Sequence, residues 1–598
     1  MLKKVLVANR GEIALRVMRA CRELGIGCVA VYSEADRNAM HVEYADDAFF
    51  IGPSPAADSY LHIERIIAAA KQAKADAIHP GYGFLSENAN FARAVAEAGL
   101  IFVGPPPDAI EALGGKVAAR LIARQVGVPM VPGTLEPLNS AEEARTIAAE
   151  FGYPVAIKAV AGGGGRGLRV VRSEDEIEAA FQSARREAEI SFKNGDLYLE
   201  KYLDNPRHIE IQILGDAYGN VVYIGERDCS VQRRHQKLIE ESPSPVLTPE
   251  QRTSIGTDAV KLPKAVGYTG AGTLEFLYQD GRYYFLEMNS RIQVEHTVTE
   301  MVYGIDLVQA QLRIAGGEEL WIKQADVVAR GHALECRINA EDPLANFRPS
   351  IGTLTAYHEP TGFGVRVDSG VRAGWAIPEH YDSLLAKLIT WGEDRNQAIA
   401  RMRRSLKDYH IEGVATCIPF FRAMMEHPAF IASEITVNFI VHHRDTLLPV
   451  VKSYSAPPPQ PTPPSADEDP RIFDVEVNQR RFSVRVSERG GPTIVRGAPA
   501  LGQPAAFKFS GKSNGVGSSA SIPTNTVNAI VAPLQGVIAE FRVQPGQAVK
   551  SGQVVCIVHA MKMENEITAP RDGTISELRA EVGKTVPAGT VLALYAEE

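Results

Sequence analysis

Residues 273–296, TLEFLYQDGRYYFLEMNSRIQVEH, set two strand-like runs on either side of QDGR. Aromatic and aliphatic residues flanking an Asp-Gly pair read as an antiparallel hairpin. Its register decides what shares a face. A connection centred on Gly281 with an odd number of loop residues places Glu275 opposite Glu287, with Asn289 two further along. A two-residue turn puts the two glutamates on opposite faces. The alternation continues, with Arg291, Gln293 and Glu295 following Glu287 and Asn289, and Met288, Ile292 and Val294 on the other side. A pair of glutamates is usually only a solvated part of a sheet. Here one face of period two carries both signs of charge, which reads as a site. Same-face carboxylates are hard oxygen ligands, suited to Mg²⁺ on phosphate groups.

Upstream, YPVAIKAVAGGGGRGLRVV (153–171) reads strand, Lys158, four glycines, Arg166, Gly167, strand. Glycines let backbone N–H groups approach phosphate oxygens closely. By itself such a loop is as often a plain hairpin. Lys158, and Lys116 in GGKVAAR, supply point charges for a polyphosphate. At the N-terminus, KVLVA, NRGE, IALRVMRACREL and CVAVYS form a βαβ pattern that opens an α/β domain over 1–112. NRGE has one glycine and is no dinucleotide fingerprint. Residues 113–330 are mixed α and β, and 331–446 form a further α/β segment.

A chain of 598 residues is too long for one core. Net charge is −9, with 45% apolar and 23% charged residues, so there is no global basic footprint for nucleic acid. Six cysteines (21, 28, 229, 336, 417, 556) form no CxxC pair, which argues against a disulfide framework. No apolar run approaches the roughly 20 residues of a membrane span, and the N-terminal apolar run breaks at Asn9-Arg10, unlike a signal peptide. The expectation is a cytoplasmic protein.

Past residue 446 the composition changes. APPPQPTPPSADEDP (456–470) reads as a proline-rich tether. RIFDVEVNQRRFSVRV, within a hairpin placed at 471–487, alternates Phe473, Val475, Val477 and Phe482, Val484, Val486. Linkers and hairpin fill 447–528. Over 529–598 the sequence repeats: at an offset of 37 residues, Ala532/Ala569, Pro533/Pro570, Gly536/Gly573, Gly546/Gly583 and Gly552/Gly589 coincide. Two such halves predict an all-β barrel or sandwich with internal two-fold symmetry. Lys562, in AMKM, falls in the connection between them. Two methionines exposed at a turn are costly unless another protein reads them.

AMKM in such a domain resembles the attachment site of biotin carboxyl carrier domains, which implies biotin on Lys562 and recognition by a biotin protein ligase. His559 departs from the glutamate usual before Ala-Met-Lys-Met. NRGEIA, HPGYGFLSEN, KAVAGGGGRG, EKYL, PRHIEIQ, ERDCSVQRRHQKLIEE, EMNSRIQVEH and ECRINAED resemble the ATP-grasp biotin carboxylases over about 1–446. The resemblance implies an α/β multidomain chain. It would hold an open α/β N-terminal domain, an ATP-grasp α+β domain, a C-terminal α/β carboxylase domain and a biotinyl domain. The arrangement is similar to the α subunit of an acyl-CoA carboxylase, which charges biotin from ATP and bicarbonate and passes the carboxyl group to a separate carboxyltransferase β subunit. The carboxylase domain is expected to be a homo-oligomer.

Carried over by that resemblance, Lys116, Lys158, Gly164, Gly165, Glu200, Lys201, Leu203, His208 and His235 hold ATP. Glu275 and Glu287, with Asn289, bind Mg²⁺ or Mn²⁺. Lys237, Arg291, Gln293 and Val294 hold bicarbonate, Glu295 is the general base, and Arg337 stabilises charge developing on biotin. Without it, Arg337 is an ordinary strand arginine, His208 and His235 ordinary polar histidines, and Lys237 a solvated charge. Other readings are a pyruvate or 2-oxoacid carboxylase subunit, a carrier or scaffold with an inactive ATP domain, and a different ATP-grasp ligase.

Overall fold

The computed structural model describes residues 2–455 except 135, 161–167 and 193, residues 471–486 except 478–479, and residues 528–596 except 534–535, 561–562 and 588. Gly164, Gly165 and Lys562 therefore lie outside the described residues, as does the tether. The chain forms two compact units, the larger built mainly from residues 1–454.

The larger unit opens with a five-stranded parallel sheet. Its order is Asp47–Gly52, Gly27–Ser33, Lys4–Val7, Ala77–His79, Ile101–Phe102. Parallel strands covered on both faces need continuous apolar runs. Val5, Val7, Cys28 and Ala30 accordingly enter one core with Ile13 and Val17 of the helix Gly11–Glu23. Leu6, Val29, Val31 and Ile78 enter the opposite core with Ile66 and Phe91.

A second, eight-stranded sheet is antiparallel. It runs Arg282–Asn289, Gly270–Gln279, Arg207–Gly215, Val221–Arg233, Gln236–Ser242, His332–Asn339, Leu384–Gly392, Val365–Ser369. It is continuous across residue 330. In RHIEIQILG, Ile209, Ile211 and Ile213 pack with Leu274, Phe276, Phe285 and Met288. The alternate residues His208, Glu210 and Gln212 face the other way and are buried as well. One face of this sheet is hydrophobic core; the other is a buried polar floor. A small lobe of three antiparallel strands, Leu168–Val171, Val155–Ala159 and Leu197–Lys201, has its own core with the helices Ala141–Phe151 and Ile177–Phe192.

In the C-terminal module, one four-stranded sheet has the order Ala529–Val531, Val591–Tyr595, Gly573–Leu578, Ala548–Val549. The other has the order Met563–Thr568, Val554–Ala560, Gly536–Phe541, Thr585–Val586. The repeat offset maps each sheet onto the other. The bond from Gly546 N to Ile575 O (2.7 Å) has its counterpart from Gly583 N to Ile538 O (2.8 Å). Gly546, Gly552, Gly583 and Gly589 all lie at φ 84–87°, where glycine alone is unstrained. The two-fold all-β module read from the repeat is present. In the hairpin, Phe473 pairs with Val484 and Val475 with Phe482.

All six cysteines are free and buried. Among the described residues, no helix is long and apolar enough to cross a membrane.

Candidate active site

The register question has an answer that neither simple turn supplies. Gln279 pairs with Arg282 across a two-residue turn, Asp280-Gly281, with φ of 52° and 76°. Such a turn alone would split the glutamates between faces. A register shift between Glu275 and Phe276 leaves Leu286 as an extra residue, and Glu275 pairs with Glu287 after all. Glu275 also pairs with Glu210, and Glu210 with Arg227, so a single row crosses four strands. A second bulge, at the shift between Tyr223 and Glu226 where Gly225 has φ 64°, sets Arg227 in that row.

Three carboxylates side by side repel one another and need cations. Lys237 Nζ supplies one: it contacts Glu210 and lies 2.9 Å from Glu275 Oε1 and 2.7 Å from Glu295 Oε1. His208 Nε2 lies 3.0 Å from Glu275 Oε2 and 3.1 Å from Glu210 Oε1. Arg227, fully buried, donates to Glu210, Gln212 and Gln293. Burial opposes charge on His208, but Glu275 and Glu210 outweigh it and hold its pKa up at about 9. Burial likewise opposes ionisation of Glu295, yet Lys237 and Arg337 hold its pKa below the usual glutamate value. Glu295 is thus an ionised carboxylate gripped by two cations.

The strand ends at Asn289, so the expected alternation does not continue as strand. Residues 290–295 nevertheless deliver their polar groups to the same place. Gln293 Nε2 donates to Glu275 Oε1 at 2.8 Å, as does Asn289 Nδ2 at 2.9 Å. Arg291 Nη2 donates to Asn289 Oδ1 (2.9 Å), and its Nε to Glu87 Oε2 (3.0 Å) from the parallel-sheet domain. Val294 O accepts from Lys387 Nζ at 3.0 Å. Arg337 Nη2 donates to Glu295 Oε2 at 2.9 Å and its Nε to Glu240 Oε1 at 2.6 Å.

In the small lobe, Glu200 accepts from Lys158 and, at 2.9 Å, from Arg120 Nη1. Lys201 turns the other way, its Nζ donating to the carbonyls of Gly152 and Tyr153 at 2.9 Å each. Leu203 is half-buried just beyond that strand, and Lys116 begins the helix Lys116–Gln125. His235 is exposed on the tight turn beside Lys237, with φ of 65°.

Sequence reasoning missed Glu210, Arg227, Glu87, Glu240 and Lys387. The alternation of His208, Glu210 and Gln212 against three isoleucines was a usable signal for Glu210. Arg227 and Lys387 depend on contacts between distant strands and left no local pattern. His208, Glu210 and Glu275 offer ligand atoms within 4.8 Å of one another, as do Glu210, Cys229 and Glu295. Lys237 already balances the carboxylates of both groups, and burial keeps the Cys229 thiol neutral.

A parallel open-sheet domain, a small lobe holding a lysine–glutamate pair, and a charged antiparallel floor define an ATP-grasp-type ligase, here followed by a two-fold β module. Comparison with known proteins agrees. Family models match as Biotin carboxylase, N-terminal domain, over 1–110, and Carbamoyl-phosphate synthase L chain, ATP binding domain, over 115–323. Biotin carboxylase C-terminal domain matches over 335–442, and Biotin-requiring enzyme over 528–594. The chain is 55% identical over 442 residues to Biotin carboxylase 1 of Bacillus subtilis, covering 74% of this chain and 98% of that one. It is 46% identical over 571 residues to the Biotin-dependent acyl-coenzyme A carboxylase alpha3 subunit of Mycobacterium leprae, covering 94% and 93%. The crystal structure of the biotin carboxylase–β-γ-ATP complex of Campylobacter jejuni superposes with a TM-score of 0.70 at 48% identity, covering 74% of this chain and 99% of that one. The chain belongs to the biotin carboxylase family and carries a biotin domain behind its ATP-dependent carboxylase portion.

Proposed function

We propose that this chain carboxylates a biotin held on its own Lys562, using ATP and bicarbonate, and serves a separate carboxyltransferase subunit acting on an acyl-CoA. The observation that carries the carboxylase reading is Lys237 among Glu210, Glu275 and Glu295, with Arg337 on the far oxygen of Glu295. The relative that supports the acyl-CoA reading matches beyond the carboxylase portion, over 94% of the chain.

Lys116, Lys158, the Gly164-Gly165 backbone, Glu200, the main chain at Lys201 and Leu203, His208 and His235 hold the nucleotide. Glu275, Glu287 and Asn289 give an all-oxygen donor set on one face, which fits Mg²⁺ or Mn²⁺. A bound divalent ion supplies charge neutralisation for the phosphates. Lys237, Arg291, Gln293 and Val294 hold bicarbonate, and Glu295, already ionised, takes its proton. The freed oxygen attacks the γ-phosphorus while ADP leaves. Arg337 offers charge-assisted donors to negative charge on the carboxyl acceptor. Carboxyphosphate formed in this way gives up its phosphate, which takes the ureido N–H proton, and biotin would supply the ureido nitrogen that carries the carboxyl group.

ATP hydrolysis that requires both bicarbonate and biotin supports the enzyme, and its absence leaves only a carrier or scaffold. Streptavidin capture, followed by identification of the co-purifying subunit and its substrate, decides the acceptor. A partner acting on a 2-oxoacid overturns the acyl-CoA part.

A further inference from the structure

Glu240 and Glu335 lie directly opposite each other on the neighbouring strands Gln236–Ser242 and His332–Asn339. Both are wholly buried. Directly opposed residues on antiparallel strands bring their side chains together on one face. Glu240 Oε1 accepts from Arg337 Nε at 2.6 Å, and Glu335 Oε2 accepts from the Thr297 hydroxyl. Among the described residues, Glu240 Oε2 and Glu335 Oε1 are buried with no hydrogen-bond partner.

Other charged and titratable groups face this pair without reaching those two oxygens. On the Glu240 side they are Arg337, Glu295 and Lys237. On the Glu335 side they are Lys387 and Arg337, with Tyr82 and Cys336 near by. Lys387 is engaged elsewhere: Nζ donates to Val294 O at 3.0 Å and lies 3.3 Å from Glu12. Lys237 is shared among Glu210, Glu275 and Glu295. Two facing carboxylates cannot both stay ionised in such a place, whereas a carboxyl group facing a carboxylate matches donor to acceptor.

We propose that Glu240 and Glu335 hold one proton between them, and that this proton keeps Arg337 free to engage the reacting groups. The proposal rests on the reading of Arg337 given above. With the proton present, the guanidinium answers Glu295 and a partly neutralised neighbour. Once it is lost, three carboxylates surround one guanidinium, and the existing contact to Glu240 strengthens into a full ion pair that competes with the reacting groups. Glu240 and Glu335 are then positioning residues, on the same two strands that carry Lys237 and Arg337. Burial, which pushes the Glu240 carboxyl up to about 7 and that of Glu335 well above its usual value, agrees with a proton retained near neutrality.

The test compares the full biotinylated chain with its Glu335→Gln and Glu240→Gln variants. Two readouts are used: infrared spectra in the protonated-carboxyl region at neutral pH, and the pH profile of kcat for free-biotin-dependent ATP hydrolysis. The expected result is a carboxyl band in the wild type that either variant loses. Glu335→Gln, which donates to Glu240 at any pH, flattens the alkaline limb of kcat. About one pH unit above the transition it retains activity of which the wild type has lost roughly tenfold. Identical carboxyl bands in all three proteins, or an alkaline limb unchanged by Glu335→Gln, overturns the proposal. If Glu335→Gln does not fold, the infrared comparison with Glu240→Gln decides. A wild-type chain lacking bicarbonate-dependent ATP hydrolysis contradicts the functional reading alone, and the infrared result then decides the shared proton.

Discussion

Glu275 and Glu287 stand directly opposite each other across a hairpin whose turn holds only two residues, because Leu286 bulges out of the ladder. Deleting Leu286 removes the bulge and brings Glu287 into the position next to Phe285, still opposite Glu275 and on the same face. The expected result is a folded chain that keeps Mg²⁺-dependent ATP hydrolysis, because the two glutamates stay opposed on one face. Glu287→Gln, which leaves the register alone, should raise the Mg²⁺ concentration needed for activity. Loss of Mg²⁺-dependent activity after the deletion would contradict the register assigned to this pair.

Lys237 is the ammonium on which Glu210, Glu275 and Glu295 converge. Lys237→Met leaves buried carboxylates without their cation, which costs about 3–5 kcal/mol. Thermal unfolding should show a large loss, and bicarbonate-dependent turnover should vanish. Adding Glu210→Gln removes one of the crowded charges and should recover part of the stability but none of the turnover. Additive losses in this cycle would contradict the coupling.

The charge on His208 makes stability depend on pH. Its folded pKa, about 9, lies above the ordinary 6.5 because Glu275 and Glu210 outweigh burial. A raised pKa means that the folded state binds the proton more tightly than the unfolded one. The contribution, about 3 kcal/mol, is therefore complete below about pH 6.5 and lost as pH rises through about 9. Unfolding temperature should fall over that window in the wild type. In His208→Gln it should start lower and change less.

Residues 456–470 read from composition as a tether. Their removal should slow carboxylation of the carried biotin while free-biotin-dependent ATP hydrolysis stays as it was. An equal loss of both would reject the tether.

How far these features could be read in advance varied with their range. The two-fold module was legible because its symmetry is written as a repeat, with Gly546/Gly583 and Gly552/Gly589 falling at equivalent turns. The open sheet was legible because apolar strands alternate with amphipathic helices. The pairing of Glu275 with Glu287 was left between two registers because a bulge is a packing decision: apolar Phe276 and Phe285 must share the core while the glutamates share the floor. Glu240 and Glu335 carry no mark of their relationship. They are far apart in sequence and meet only because two distant strands pair.

The most direct test of the whole account is a single turnover of the chain biotinylated in a host with an active biotin ligase. Labelled bicarbonate, ATP and Mg²⁺ are supplied, and free biotin is left out. The account predicts label retained on the protein in amounts matching its biotin, and none on Lys562→Arg or on Glu295→Gln. Label held equally by Lys562→Arg, or ATP consumed with no label on the biotinylated chain, would contradict it.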